Sequence, residues 1–303
     1  MIMRDQKTKN PSSTSLREKF YFDKKKMLYL WPLALHIYHK AKKINKKNKK
    51  DPLAYSEQYR YDWLSKQVQK ALPLFGVEIQ VGGIENWLDR GIVLMPNHES
   101  NFDAIALIAI NDFSKQQPVA FIAKKELWSD KRASRFLNLI DTIPLDRQSP
   151  RSALAAFREA KDLIVDYKRS LVLFPSGTRS GSNEVGEMQP AAFKLPQMAN
   201  APLIPVTIIN SYQVFEYPRK NKHVVVKVIF GKPIYGKKHL AASTTDLATL
   251  VKNQIENNRD KYIDQELTPL KELRMSEKKL AKQKKKKHKT KKKKFRDFFK
   301  IID

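Results

Sequence analysis

The chain has 303 residues and no Cys, which excludes a disulfide framework and Cys-based catalysis or metal binding. Its formal net charge of +28 is uneven, because residues 1–50 carry 15 Lys/Arg against 3 Asp/Glu and residues 271–303 carry 16 against 4. Residues 51–270 are nearly balanced, with 28 against 24, which argues against a globular face that binds nucleic acid. The two basic arms favour a polyanionic partner instead, either an anionic membrane or RNA.

The N-terminal arm, residues 1–50, contains one short apolar segment. We expect residues 1–19 to be disordered and residues 41–50, rich in Lys and Asn, to form a linker. Between them, Met27 to Tyr38 reads MLYLWPLALHIY, which at 12 residues is too short to span a membrane. Because Lys clusters flank this Trp- and Tyr-containing segment, we interpret it as an interfacial element. An ordinary core helix fits the same pattern equally well.

The body of the chain, residues 51–270, alternates predicted strands and helices, which indicates an α/β fold. A largely parallel central sheet covered by helices is therefore expected, preceded by an N-terminal helical segment. Functional side chains in such a sheet gather beyond the carboxyl ends of its strands. The predicted elements are helix 55–74, strand 77–81, strand 91–95, helix 102–110, strand 119–123, a helical stretch through Leu127, Phe136 and Leu139, strand 142–145, helix 152–167, strand 171–174, helix 191–199, strands 203–210 and 224–230, and helix 247–262.

The C-terminal arm, residues 271–303, is a Lys-rich tail of low complexity. Lys278 to Lys294 contains twelve Lys in seventeen residues, and the chain then ends in FRDFFKIID, whose Phe residues follow helical spacing. A polybasic run beside an aromatic amphipathic turn is typical of a membrane anchor, and a solvated disordered tail is the alternative. We therefore divide the chain into a basic arm (1–50), a folded domain (51–270) that includes the helix 55–74, and this tail.

A His and an Asp at the end of one predicted strand form a candidate catalytic pair. His98 directly follows the strand 91–95 and the Pro-Asn that breaks it, and Asp103 lies five residues later at the start of the next helix. The intervening turn lets the Asp carboxylate accept a hydrogen bond from one imidazole nitrogen and leaves the other nitrogen as a base. No Ser or Cys is suitably placed as a nucleophile, so the pattern predicts that the substrate supplies its own hydroxyl.

Two further strand ends carry Arg residues suited to an anionic substrate. The strand 142–145 is followed by Arg147, and the strand 171–174 is followed by the loop PSGTRS, residues 175–180. In that loop Gly177 permits an unusual backbone turn, and the Arg179 guanidinium offers the bidentate geometry that phosphate prefers. If these strands belong to one sheet, the two Arg side chains and His98 can converge on a single site.

The chain resembles the glycerolipid acyltransferase family, which includes 1-acylglycerol-3-phosphate acyltransferases. The resemblance spans about residues 70–235 and rests on four sequence blocks in the family's order, together with a Phe-Lys after the third. The matching segments are NHESNFD (97–103), FIAKKELW with IDTIPLDR (121–128 and 140–147), FPSGTRS (174–180) with Phe193-Lys194, and APLIPVTI (201–208).

The resemblance implies a role for each of these segments. His98 would be the general base and Asp103 the residue that orients it. The phosphate of the acceptor would be held by Arg147, Gly177 and Arg179, with help from Lys194, and the fourth block would shape the acyl-binding side. Ser176 and Thr178 complete the third block and offer hydroxyl groups to the same substrate.

This chain departs from the family pattern at two positions. Ser176 occupies the place where the third block usually has Glu, which leaves the polar contacts around the acceptor open. Pro144 stands where the second block usually has a larger residue. An acceptor other than lysophosphatidic acid, such as glycerol 3-phosphate or another lysophospholipid, therefore remains an alternative. A basic nucleic-acid-binding protein is the alternative from another class.

The partners implied by the resemblance are lysophosphatidic acid and an acyl thioester of coenzyme A or acyl carrier protein. Phosphatidic acid would be the product. No cofactor and no metal ion are expected, and no specific nucleic acid is expected to bind. We expect the protein to be peripheral or monotopic on the cytoplasmic face of the cell membrane, attached to its anionic surface through the basic arms.

Overall fold

The computed structural model describes residues 24–88, 90–110, 118–215 and 222–276. The predictions for residues 1–19 and for the Lys-rich tail beyond residue 276 lie outside these ranges.

The described strands form one mixed sheet of eight strands in the order β4-β3-β5-β2-β6-β7-β1-β8. Their bounds are β1 Val77–Gly82, β2 Val93–Pro96, β3 Ala120–Lys124, β4 Ile143–Leu145, β5 Leu171–Val172, β6 Leu203–Ile209, β7 Val224–Phe230 and β8 Thr268–Pro269. Strands β4, β3, β5, β2 and β6 run parallel to one another. Strand β7 is antiparallel to β6, β1 is parallel to β7, and β8 is antiparallel to β1. The prediction of a largely parallel sheet is confirmed.

Helices cover both faces of this sheet. Their bounds are α1 Lys24–Lys50, α2 Glu57–Ala71, α3 Phe102–Ile110, α4 Lys131–Leu139, α5 Pro150–Val165, α6 Lys194–Met198, α7 Lys237–Ala241 and α8 Thr244–Tyr262. Strand β2 illustrates the arrangement, since Leu94 joins one apolar core with α2 and α3 while Val93 and Met95 join a second core with α5 and α8. Alternate side chains of a buried strand point to opposite faces, so both cores depend on the central strands.

The predicted linker over residues 41–50 is wrong, because α1 continues without interruption to Lys50. Ala41 and Ile44 are fully buried against the body. Asn45 donates a hydrogen bond of 2.7 Å to the Arg135 carbonyl in α4, and the Arg135 guanidinium lies 4.1 Å from the centre of the Tyr38 ring. A few contacts on one face of the helix therefore hold a segment whose composition is otherwise that of a solvated linker.

The apolar residues of the predicted interfacial segment lie at the other end of α1. Leu28, Tyr29 and Trp31 are 76%, 68% and 65% exposed, although they are large and apolar or aromatic. Among the described residues, no helix has both the length and the apolar character needed to cross a bilayer.

Candidate active site

His98 lies just past β2, at the edge where the carboxyl ends of the parallel strands meet. Its Nδ1 is 2.7 Å from Oδ2 of Asp103, which is the second residue of α3. Because Nδ1 makes this hydrogen bond, Nε2 is the nitrogen available to act as a base. The His98 side chain is 18% exposed and the Asp103 side chain is fully buried, so a substrate can reach the imidazole but not the carboxylate.

Asp103 is surrounded by hydrogen-bond donors. Its Oδ2 accepts from the backbone N–H groups of Glu99 and Ser100, at 2.8 and 3.0 Å, as well as from His98. Its Oδ1 accepts a hydrogen bond from the hydroxyl of Ser211, which lies just past β6. These contacts replace the water that a buried carboxylate loses, and they fix Oδ2 toward the imidazole.

Glu99 is a second carboxyl group buried beside Asp103, with 1% of the residue exposed. Its Oε2 accepts from the backbone N–H groups of Ser211 and Tyr212, at 2.8 and 3.3 Å. Its Oε1 has no hydrogen-bond partner among the described residues. Burial and, next, the charge of Asp103 raise the pKa of Glu99 well above its ordinary value. The site therefore disfavours a second negative charge here.

Asn97 anchors the loop that carries His98. Its side-chain amide donates to the Ile208 carbonyl at 2.8 Å and accepts from the Ile208 N–H at 2.7 Å. This pair of bonds continues the pairing of β2 with β6 past the point where β2 ends. The position of His98 is thus set by the neighbouring strand as well as by its own.

The loop after β5 packs directly on His98 and the residue that follows it. The Phe174 ring stacks on the His98 ring with a centroid distance of 4.2 Å. The backbone N–H groups of Ser180 and Gly181 donate to the carbonyls of His98 and Glu99, at 2.8 and 3.1 Å. Strands β2 and β5 are adjacent, so this contact follows from the strand order.

Arg147, which follows β4, also reaches this loop. Its guanidinium donates a hydrogen bond to the carbonyl of Gly177. Gly177 has φ of +70°, and a Cβ there would lie 2.9 Å from Nη1 of Arg147. The backbone conformation therefore favours glycine here, and a Cβ would in addition displace the Arg147 guanidinium. Partial desolvation lowers the pKa of Arg147 from its ordinary value.

The remaining residues implied by the resemblance occupy the same loop, with one exception. The Ser176 hydroxyl donates to the carbonyl of Thr178 at 3.0 Å, so it braces the loop from within. Thr178 and Arg179 are exposed on the loop surface. Lys194 is the exposed first residue of α6, and none of its described contacts connects it with His98, Arg147 or Gly177.

Several residues of this site were not predicted from the sequence. Ser211 lies 108 positions from Asp103 along the chain, and a lone Ser after a strand carries no recognisable signal. Asn97, Glu99 and Phe174 stand within the matched blocks, but their contacts depend on which strands are neighbours. Predicting these contacts would have required the order of the strands in the sheet.

The arrangement fits proton abstraction from a substrate hydroxyl. Two buried hydroxyls, those of Ser100 and Ser211, are hydrogen-bonded to each other, and both lie on the Asp103 side of the pair. The described contacts of His98 thus include no side-chain nucleophile. Among the described residues no three His, Asp or Glu side chains converge in a way that could hold a metal ion.

Comparisons with known proteins show which family the chain resembles. The family model described as Acyltransferase matches residues 78–209, which contain His98, Asp103, Arg147 and the loop after β5. A Mycoplasma pneumoniae protein named "Probable 1-acyl-sn-glycerol-3-phosphate acyltransferase" is 31% identical over 194 residues, covering 60% of this chain and 71% of that protein. The 1-acyl-sn-glycerol-3-phosphate acyltransferase of Bacillus subtilis is 30% identical over 183 residues, covering 57% and 84%.

A solved structure has the same fold. The crystal structure of the 1-acyl-sn-glycerophosphate acyltransferase PlsC from Thermotoga maritima aligns with a TM-score of 0.55 at 19% sequence identity. The alignment covers 69% of this chain and 82% of that one. The sequence relatives, which match across most of their own length, establish the assignment made from the four blocks: the chain belongs to the glycerolipid acyltransferase family of 1-acyl-sn-glycerol-3-phosphate acyltransferase-like enzymes.

Proposed function

We propose that the protein transfers an acyl chain from an acyl thioester to the free hydroxyl of 1-acyl-sn-glycerol 3-phosphate, giving phosphatidic acid. The observation that carries the proposal is the hydrogen bond from His98 to the buried Asp103, beside a loop that bears Arg179 and contacts Arg147. The names of the relatives support the same reaction. The donor is a thioester of coenzyme A or of acyl carrier protein.

In this mechanism the acceptor hydroxyl approaches Nε2 of His98. The imidazole removes its proton while the oxygen attacks the thioester carbonyl, and Asp103 stabilises the imidazolium that forms. The tetrahedral intermediate then collapses, the carbon–sulfur bond breaks, and the thiolate leaves and takes up a proton, which the imidazolium can return. His98 and Asp103 are thus ready for the next turnover, and no covalent acyl-enzyme forms.

An acceptor panel tests this function and the phosphate site together. Purified protein is assayed with a radiolabelled acyl thioester and lysophosphatidic acid, glycerol 3-phosphate, lysophosphatidylcholine or monoacylglycerol. We expect lysophosphatidic acid to be the best acceptor. Arg179→Ala should raise the KM for it about 10- to 100-fold, because each charged hydrogen bond contributes about 1.5–3 kcal/mol.

Arg147 is a less direct test of phosphate binding, because its hydrogen bond to Gly177 makes it part of the loop structure. Arg132→Ala is the matched control, since Arg132 is 82% exposed on α4. Its KM should equal that of the wild type. Wild-type protein that acylates monoacylglycerol as efficiently as lysophosphatidic acid would contradict the phosphate site. A preference for glycerol 3-phosphate would replace the proposed acceptor and leave acyl transfer intact.

We further propose that the protein works as a peripheral or monotopic enzyme on the cytoplasmic face of the cell membrane. Acceptor and product are both lipids, and α1 carries exposed Leu28, Tyr29 and Trp31 among lysines. Such a helix can insert its apolar side chains among lipid headgroups while its lysines contact anionic lipids.

Replacing Trp31 with Glu should weaken flotation of the protein with vesicles containing phosphatidylglycerol. The substitution places a negative charge where the Trp31 side chain would insert among the lipid headgroups. Tyr167→Glu is the control, since the Tyr167 side chain is also well exposed, at 60%. Tyr167 lies between the end of α5 and the start of β5, so it is at the edge of the sheet opposite His98. Equal flotation of Trp31→Glu and wild type would exclude this end of α1 as the membrane contact.

A further inference from the structure

The hydroxyl of Ser211 joins the two buried carboxyl groups of the site, and it has one proton to share. Ser211 Oγ hydrogen-bonds to Asp103 Oδ1 and lies 3.2 Å from Glu99 Oε2. It also lies 3.2 Å from Ser100 Oγ, whose own proton can go to the Ser211 carbonyl at 3.1 Å or to Ser211 Oγ. A hydroxyl donates one hydrogen bond, so one of the two carboxyl contacts must obtain its proton from elsewhere.

The donors around each carboxyl group indicate where the second proton resides. Asp103 accepts from three N–H groups besides Ser211, namely the His98 ring and the backbone of Glu99 and Ser100, so it is built to hold a negative charge. Glu99 accepts two backbone N–H groups on Oε2 alone, and its buried Oε1 has no hydrogen-bond partner among the described residues. An ionised Glu99 would leave that oxygen charged, buried and unsolvated.

We propose, building on the proposed acyl transfer, that Glu99 is a positioning residue held as a neutral carboxylic acid, which donates a hydrogen bond to Ser211 so that Ser211 donates to Asp103. The hydrogen bonds then run in one direction, from Glu99 to Ser211 to Asp103 Oδ1, while the His98 N–H occupies Oδ2. Among the described contacts of the imidazole, Asp103 is then the one negative charge, and hydrogen bonds to both of its oxygens fix its orientation.

The surroundings of Glu99 are consistent with this protonation. Among the described contacts, the charged neighbour of the Glu99 carboxyl group is Asp103 on α3. Asp103 is in turn hydrogen-bonded to His98. The segment after β6 presents backbone N–H groups of Ser211 and Tyr212, and the loop after β5 presents the Gly181 N–H to the Glu99 carbonyl. No cation appears among the described contacts of the Glu99 carboxyl group to offset a second negative charge, and burial raises its pKa.

Infrared spectroscopy tests the protonation without any substrate. The difference spectrum of wild type minus Glu99→Gln at pH 7 should contain the C=O stretching band of a protonated carboxylic acid. In Asp103→Asn the same band should vanish at a lower pH than in the wild type, because the neighbouring negative charge is gone. Absence of the band from the wild-type minus Glu99→Gln spectrum would overturn the proposal.

Kinetics test the positioning role. Ser211→Ala should lower kcat about 10- to 100-fold, which corresponds to the loss of one hydrogen bond to a charged group. The KM values for donor and acceptor should stay within about twofold of the wild-type values. Glu99→Gln keeps a neutral group that can still accept the two N–H groups, so its loss of kcat should be smaller than that of Ser211→Ala. A larger loss in Glu99→Gln, at unchanged melting temperature, would show that the negative charge is needed and would contradict a neutral Glu99.

These two experiments separate this inference from the proposed function. A protein that has the infrared band but transfers no acyl group refutes the proposed function and supports a neutral Glu99. An active enzyme without the band refutes the neutral Glu99 and supports the function.

Discussion

Replacing His98 with alanine should lower kcat for acyl transfer to lysophosphatidic acid about 10²- to 10⁴-fold, the usual contribution of a positioned general base. The KM for the acceptor should change little, because the phosphate is expected to contact the Arg-bearing loop rather than the imidazole. The measurement is the initial rate with a radiolabelled acyl thioester across a range of acceptor concentrations. The Phe174 ring loses its stacking partner in this variant, so the melting temperature is compared with that of the wild type.

The matched control for this variant is His223→Ala. His223 is 62% exposed and lies 3.9 Å from Glu78, near the start of β1, so its loss should leave kcat unchanged. Asp103→Asn offers a second arm, since an amide can accept from His98 but holds no charge against the imidazolium, and kcat should again fall by orders of magnitude. Wild-type activity in folded His98→Ala would reject the general-base mechanism.

The parts of this site that the sequence predicts are those encoded locally. His98 and Asp103 are five residues apart, and the turn between a strand and a helix brings them together without any knowledge of the rest of the fold. The same holds for the turn at Gly177, where a glycine after a strand suggests a positive φ. Short spacing and turn chemistry are properties of a sequence segment, so they can be identified in it.

The contacts that complete the site depend on strand order, which residue patterns do not contain. Ser211 reaches Asp103 because β6 lies beside β2, and Arg147 reaches Gly177 across β3, which separates β4 from β5. The wrong prediction for residues 41–50 has a related cause. Lysine-rich composition suggested a linker, but burial of Ala41 and Ile44 on one face is enough to fix a helix whose other faces are solvated.

Replacing Asp141 with alanine should destabilise the fold by about 3 kcal/mol, the lower end of the cost of breaking a buried ion pair. Asp141 accepts two hydrogen bonds from Arg60, at 2.6 and 2.8 Å, and one from Arg169 at 3.2 Å. Arg169 is 1% exposed, so loss of this carboxylate leaves a buried guanidinium with Glu57 as its remaining acidic partner. The lower end of the range applies because the Asp141 side chain is itself 31% exposed. Urea unfolding followed by circular dichroism measures the change.

Asp260→Ala is the control for this stability effect. Its salt bridge with Arg259 is also short, at 2.8 Å, but the Asp260 side chain is 67% exposed, so its removal should cost no more than about 1 kcal/mol. Equal unfolding midpoints for Asp141→Ala and Asp260→Ala would contradict the buried pair.

The position of the Asp141 cluster separates its effect from catalysis. Asp141 and Arg169 precede β4 and β5, and the Pro118 carbonyl that Arg169 contacts precedes β3, so the cluster lies at the amino ends of the parallel strands. His98 lies at their carboxyl ends. Folded Asp141→Ala protein, assayed well below its melting temperature, should therefore keep the wild-type kcat. A fall in kcat without a fall in stability would mean that the cluster acts on the site through the sheet rather than on the fold alone.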